Sequence, residues 1–136
     1  MKILIADDDK DDLFLIKEAL EESNLFSDIS FVNDGEELLN YLTYTRSNQI
    51  TFPDVILLDI NMPRLNGKQA LLFIKKHPHF KNIPVVIFTT STSKKEEKEC
   101  YDLGAILYLT KPQSYEALLD MPALVEKHLK KLKQLN

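Results

Sequence analysis

Four short apolar stretches of this chain each end on residues that can do chemistry. Residues 55–58 run into Asp59, with Asn61 and Pro63 just beyond. Residues 3–6 run into Asp7 and Asp8, residues 85–88 into Thr89, and residues 106–109 into Thr110, Lys111 and Pro112. Asp59 alone has an ordinary explanation, because a carboxylate after a strand can cap the next turn. Alongside the others it can be a nucleophile or a metal ligand. Brought to one rim, Asp7, Asp8 and Asp59 repel one another unless a cation sits among them. A hard divalent cation that prefers oxygen suits such a set. Mg²⁺ fits, since it needs only one or two carboxylates and keeps several waters. The Asn61 main-chain carbonyl and a phosphoryl oxygen can supply further ligands. Lys111 adds a compact positive charge for that phosphoryl group, and Thr89 adds one hydroxyl donor. Phosphoryl transfer asks mostly for positioning and charge stabilisation. A carboxylate nucleophile then yields an aspartyl phosphate.

The elements that must position these residues alternate. The apolar run before Asp59 reads as a strand buried on both faces. Residues 3–6, 29–32, 85–88 and 106–109 read as four more, with 29–32 the least apolar at its start and placed on an edge. Leu13, Ile16 and Leu20 mark one face of a first helix, with Asp9, Asp11 and Asp12 at its N-terminus, where negative charge is favourable. Asn33 and Glu36 are spaced as a capping box for a helix carrying Leu38, Leu39 and Leu42. Residues 43–52 lack apolar periodicity and read as a long connection before Pro53. Asn66 and Gln69 open a third helix, with Gly67, Ala70, Leu71 and Ile74 on its inner face. Ser93 and Glu96 open a fourth, nearly all charged over residues 94–99. Few buried contacts make it the least stable helix and a candidate moving part, and Gly104 is placed to end it. The last helix starts near Pro122 and carries Val125, Leu129 and Leu132.

Five strands alternating with five helices predict an α/β fold, a doubly wound five-stranded parallel sheet with helices on both faces. In the order 2-1-3-4-5, strands 1 and 3 meet at the switch point, and ligands bind outside the carboxyl ends. That rule sets Asp7, Asp8 and Asp59 side by side and brings Thr89 and Lys111 to the same rim.

Bulk properties narrow the function. A length of 136 residues suits one domain spanning 1–136. The net charge of −4 argues against a broad nucleic-acid surface. No apolar run reaches the length of a membrane span. Acid follows the N-terminal apolar run too soon for a signal peptide, which reads as cytoplasmic. Cys100 is the single cysteine, so neither an internal disulfide nor a cysteine metal cluster is available. His77, His79 and His128 are not spaced as metal ligands.

Together these residues carry a resemblance. Asp7-Asp8 after the first strand, Leu58-Asp59-Ile60-Asn61-Met62-Pro63 after the third, Thr89 after the fourth, and Tyr108 with Lys111-Pro112 after the fifth are similar to a receiver domain of a two-component response regulator. The chain resembles the stand-alone, CheY-like kind over its whole length. The resemblance implies that Asp59 accepts a phosphoryl group from a phosphohistidine on a sensor histidine kinase. It implies Mg²⁺ held by Asp8, Asp59 and the Asn61 carbonyl, with Asp7 helping mainly through water. Lys111 would contact the phosphate, Thr89 would swing inward to hydrogen-bond it, and Tyr108 would turn inward behind. The Lys111–Pro112 bond would be cis. Such a domain is a binding module rather than an enzyme with a separate substrate. It catalyses its own phosphorylation and slow autodephosphorylation, and it signals through a changed protein-binding surface. Its partners would be the kinase, a downstream protein and, in a homodimer, a second copy of the chain, with neither nucleic acid nor membrane.

Finer features are similar to response regulators that partner bacterial phytochrome kinases: Thr89-Thr90-Ser91, the connection before Pro53, and the stretch from His77 to Pro84. Thr90 departs from the wider family, where the residue after the switch threonine is usually very small. With Asn61 and Ser91 it flanks the route of the hydrolytic water. Two other functions fit the chain less well, and assays for flavin absorbance and for turnover of small phosphate esters separate them from the switch. A flavin mononucleotide carrier needs a hydroxyl- and glycine-rich loop after strand 1, where this chain has three aspartates. A hydrolase using Asp59 needs a cap for its substrate, and the chain has no length to spare.

Overall fold

The computed structural model describes residues 1–134. Five strands, β1 (Lys2–Ala6), β2 (Asp28–Val32), β3 (Val55–Leu58), β4 (Val85–Thr89) and β5 (Leu107–Thr110), form one sheet in the order β2-β1-β3-β4-β5. Every pairing is parallel. The helices are α1 (Lys10–Ser23), α2 (Gly35–Ser47), α3 (Gly67–Lys76), α4 (Lys94–Asp102), a single turn α5 (Tyr115–Leu118), and α6 (Met121–Gln134). The single turn leads into α6, so the fifth helical connection comes in two pieces. Pro122 lies in the first turn of the longer piece, where its missing N–H costs nothing.

Strand alternation sorts the core into two layers. Leu4, Ile56, Leu58, Val85 and Ile87 face α2 and α3, meeting Leu38, Leu42, Ala70, Leu71 and Ile74. Ile3, Ile5, Leu57, Val86 and Phe88 face the other way, onto Leu13, Ile16 and Leu20 of α1 and Val125 and Leu129 of α6. Central strands buried on both sides explain the unbroken apolar runs. β2 lies on an edge, and only Val32 is buried there.

Capping explains the helix starts. Asp9 accepts the N–H groups of Asp11 and Asp12. Asn66 and Gln69 complete a reciprocal capping box, and Ser93 accepts the Glu96 N–H at 3.2 Å. At α2 the cap is Asp34, which accepts the Glu37 N–H at 2.8 Å, rather than Asn33. Both residue types cap well, and Asn33 instead bonds the Glu37 side chain. The expected connection over residues 43–52 is also corrected, since α2 runs to Ser47. The Thr43 and Thr45 hydroxyls donate back to the Leu39 and Tyr41 carbonyls, which lets polar residues continue the helix. Lys111–Pro112 is trans, contrary to the implied cis bond. Trans is the lower-energy isomer before proline by about 0.5–1 kcal/mol.

α4 buries one residue, Cys100, whose thiol burial pushes up to about 11. Gly104 follows α4 with φ 109°, a conformation that suits glycine. Gly67 has a different reason. A Cβ there would lie 2.2 Å from the Asp59 carbonyl oxygen and 2.7 Å from Ile60 Cα. The start of α3 thus rests on the backbone that carries Asp59. Gly67→Ala is expected to push this backbone aside and lower stability by about 1–3 kcal/mol, read as a lower urea midpoint with unchanged slope. An unchanged midpoint would show that the contact yields freely.

Candidate functional site

The site lies where the ladders run out at the carboxyl end of the sheet. The Asp7 N–H donates to Val32 O at 3.1 Å, and the Asp59 N–H donates to Ala6 O at 3.0 Å. These bonds extend the β1–β2 and β1–β3 ladders by one residue and set the two aspartates on neighbouring strand ends. The Lys111 N–H donates to Thr89 O at 2.7 Å, extending β4–β5 in the same way. Fold topology therefore does bring Asp7, Asp8, Asp59, Thr89 and Lys111 to one rim.

Three carboxylates converge on the Lys111 ammonium. Its Nζ is 2.6 Å from Asp7, 2.8 Å from Asp12 and 3.0 Å from Asp59. The side chains of Lys111, Asp7 and Asp59 are at most 9 % exposed, while that of Asp12 is 34 % exposed. An ammonium has three protons, and three carboxylates can take them all. The other oxygens are fixed by main chain: Asp7 Oδ1 accepts the Asp9 N–H at 3.0 Å, and Asp59 Oδ1 accepts the Asn61 N–H at 3.2 Å.

Charge remains unbalanced. Asp7, Asp8, Asp12 and Asp59 are four carboxylates against one ammonium. Burial pushes the Asp7 carboxyl up from 3.8 to about 6, and its bonds to Lys111 and Asp9 do not offset that. Burial draws the Lys111 ammonium down, but the hydrogen bonds it donates to Asp12 and Asp7 outweigh it and raise it above 10.5. Asp7, Asp8 and Asp59 each offer an oxygen, all within 4.8 Å of one another. Three hard oxygen donors this close fit a divalent cation, given small rotations to reach coordination distance. Asp8 is exposed, and a cleft beside it is lined by Asn61, Asn66, Lys68 and Glu96.

Thr89 is fully buried, and its Oγ1 accepts the Ser91 N–H at 3.4 Å. Tyr108 is turned inward, 9 % exposed, and its hydroxyl donates to Ser91 O at 3.0 Å. Asp12 is the site residue that sequence reasoning missed. It lies 99 residues from Lys111, and its place in the first turn of α1 already explains a negative charge. Its spacing gave no signal for that contact, because Asp8 lies ahead of the Asp9 cap and outside the helix.

The response regulator receiver domain family matches residues 3–122. This chain belongs to that family. The receiver is 34 % identical over 128 residues to the response regulator Rcp1 of Synechocystis sp., covering 91 % of this chain and 85 % of Rcp1. In structure it is similar to the phosphorylated cyanobacterial phytochrome response regulator RcpA, with a TM-score of 0.83, 35 % identity, and 93 % and 91 % of the two chains covered. The Mn²⁺-bound form of Rcp1 gives a TM-score of 0.80 at 31 % identity, covering 93 % and 92 %. The five-stranded parallel fold and the likeness to phytochrome response regulators are thus shared features of this receiver. No helix of the described residues is long and apolar enough to cross a membrane.

Removing the shared cation strands buried acid. Lys111→Met is expected to lower stability by about 3 kcal/mol at neutral pH, since a broken buried pair leaves uncompensated charge. Lys68→Met, which breaks the solvent-exposed 3.0 Å pair with Glu99, should cost far less. Urea unfolding of both variants checks this, and equal losses would mean the rim charges are solvated.

Proposed function

We propose that Asp59 accepts a phosphoryl group from a phosphohistidine on a sensor histidine kinase, in a Mg²⁺-dependent reaction within the cytoplasm. On this reading residues 1–136 act as one receiver unit that signals by a changed protein-binding surface. The observation that carries the proposal is the Asp59 carboxylate itself. It is buried at a strand end, 3.0 Å from Lys111 Nζ and within 4.8 Å of oxygens on Asp7 and Asp8.

Transfer forms a bond from an Asp59 carboxylate oxygen to phosphorus as the bond from phosphorus to the histidine nitrogen breaks. Asp7, Asp8, Asp59 and the Asn61 carbonyl would hold the cation. When bound, Mg²⁺ neutralises charge building on the phosphoryl oxygens. The Asn61 N–H holds Asp59 Oδ1, which leaves Oδ2 and Lys111 to face the incoming group. Lys111 would exchange one of its carboxylate partners for a phosphoryl oxygen. Asp12 is the partner most readily released, being the most exposed of the three. Thr89 lends its hydroxyl to a phosphoryl oxygen, and the β4–α4 connection follows it. α4 has little apolar anchorage and responds most easily, which makes its face the output surface toward a downstream protein or a second copy. The likeness to the phytochrome response regulator RcpA supports a kinase of the phytochrome type.

Intact mass after incubation with acetyl phosphate and Mg²⁺ tests the assignment. The wild type should gain one phosphoryl mass, and Asp59→Asn should gain none. Full phosphorylation of Asp59→Asn would place the acceptor elsewhere. No gain in the wild type, with phosphoramidate failing as well, would contradict the reading.

A further inference from the structure

Tyr108 is held at two points, and only one of them lies in the site described above. Its hydroxyl donates to Ser91 O in the connection between β4 and α4. Its main-chain N–H donates to the Tyr101 hydroxyl at 3.0 Å. β5 is an edge strand, so an N–H on its free side has no strand partner. Tyr101 reaches across from the last turn of α4 and supplies the acceptor.

The bond is informative because α4 has so few others. Cys100 is its one buried residue. Lys68–Glu99, at 3.0 Å, ties it to α3, and both of these side chains are about a third exposed or more. Tyr101 is itself 41 % exposed, and its hydroxyl makes the specific contact with β5. Tyr108, with Val85 and Ile87, belongs to the core layer beneath α3 and α4. Alternation along β4 puts Thr89 on that same face.

We propose that Tyr101 is a positioning residue for Tyr108. It holds the last turn of α4 against β5 and so keeps the Tyr108 ring turned inward beneath that helix. This rests on the reading of Asp59 as phosphoacceptor, in which Thr89 and Tyr108 move in together. Both ends of the clasp are protein groups, so the inward arrangement is favoured by the chain itself. A ligand that needs this arrangement then binds more tightly, because less of its binding energy goes into shifting the equilibrium. Tyr101 thereby raises the affinity of the site for a phosphoryl-like group without touching it. A cation held by Asp7, Asp8 and Asp59 gains nothing from the clasp.

Calorimetric titration with beryllium fluoride in saturating Mg²⁺, and with Mg²⁺ alone, separates these effects. Tyr101→Phe removes the hydroxyl and keeps the ring. Its beryllium fluoride Kd should rise about fivefold, the change expected from losing one net hydrogen bond, while its Mg²⁺ Kd stays at the wild-type value. Tyr115→Phe, which loses an exposed 3.2 Å bond to Glu22 away from α4, should leave both constants unchanged. An unchanged or lower beryllium fluoride Kd in Tyr101→Phe would overturn the proposal alone. So would a matching rise in its Mg²⁺ Kd, which would mean general loosening. A wild type that binds Mg²⁺ but not beryllium fluoride would overturn the phosphoacceptor reading, and the proposal with it.

Discussion

A single ammonium shared by three carboxylates sets the terms for the rest of this receiver. Lys111 reaches Asp7 from β1, Asp59 from β3 and Asp12 from α1, and it hangs from the end of β5. These contacts tie the two middle strands at the switch point to the far edge of the sheet. They also leave the rim with four carboxylates against one ammonium, and burial pushes the Asp7 carboxyl up there. Stability and function pull in opposite directions here. Packing the acids apart would stabilise the fold and remove the acid cluster on which the proposed cation and phosphoryl site rests.

Everything around this rim is built to keep it in place. β3 is buried throughout and β1 from Ile3 to Ala6, so their last residues cannot drift. Gly67 lets the start of α3 sit directly on the Asp59 backbone. α4, by contrast, is nearly all charged and is tied down at a few points. The buried strands position the rim residues, while α4 is anchored by a single buried side chain, Cys100. Local stability is unevenly distributed for that reason.

Much of this was legible in the sequence, because the chemical residues sit directly after apolar runs. Asp7, Asp8, Asp59, Thr89 and Lys111 are placed by strand ends, and strand ends are visible as runs of Val, Ile and Leu. Asp12 was not legible as a site residue, since a helix start already accounts for an acid. Its contact with Lys111 spans 99 positions and depends on tertiary structure. The extension of α2 to Ser47 was hidden for another reason. The Thr43 and Thr45 hydroxyls are satisfied within the helix, so polar composition concealed a regular backbone. Asp34 and Asn33 are equivalent as cap types, and only the hydrogen bond to Glu37 tells them apart. Tyr101 gave no signal either, because nothing in its neighbours reveals the edge N–H it covers.

The central claim is that the rim formed by Asp7, Asp8 and Asp59 is a cation site short of positive charge. Thermal unfolding across a Mg²⁺ titration at constant ionic strength tests it most directly. A cation bound by the native state alone must raise Tm progressively with concentration. The account predicts that rise at millimolar-scale Mg²⁺. The same Tm in MgCl₂ and in ionic-strength-matched NaCl would contradict it.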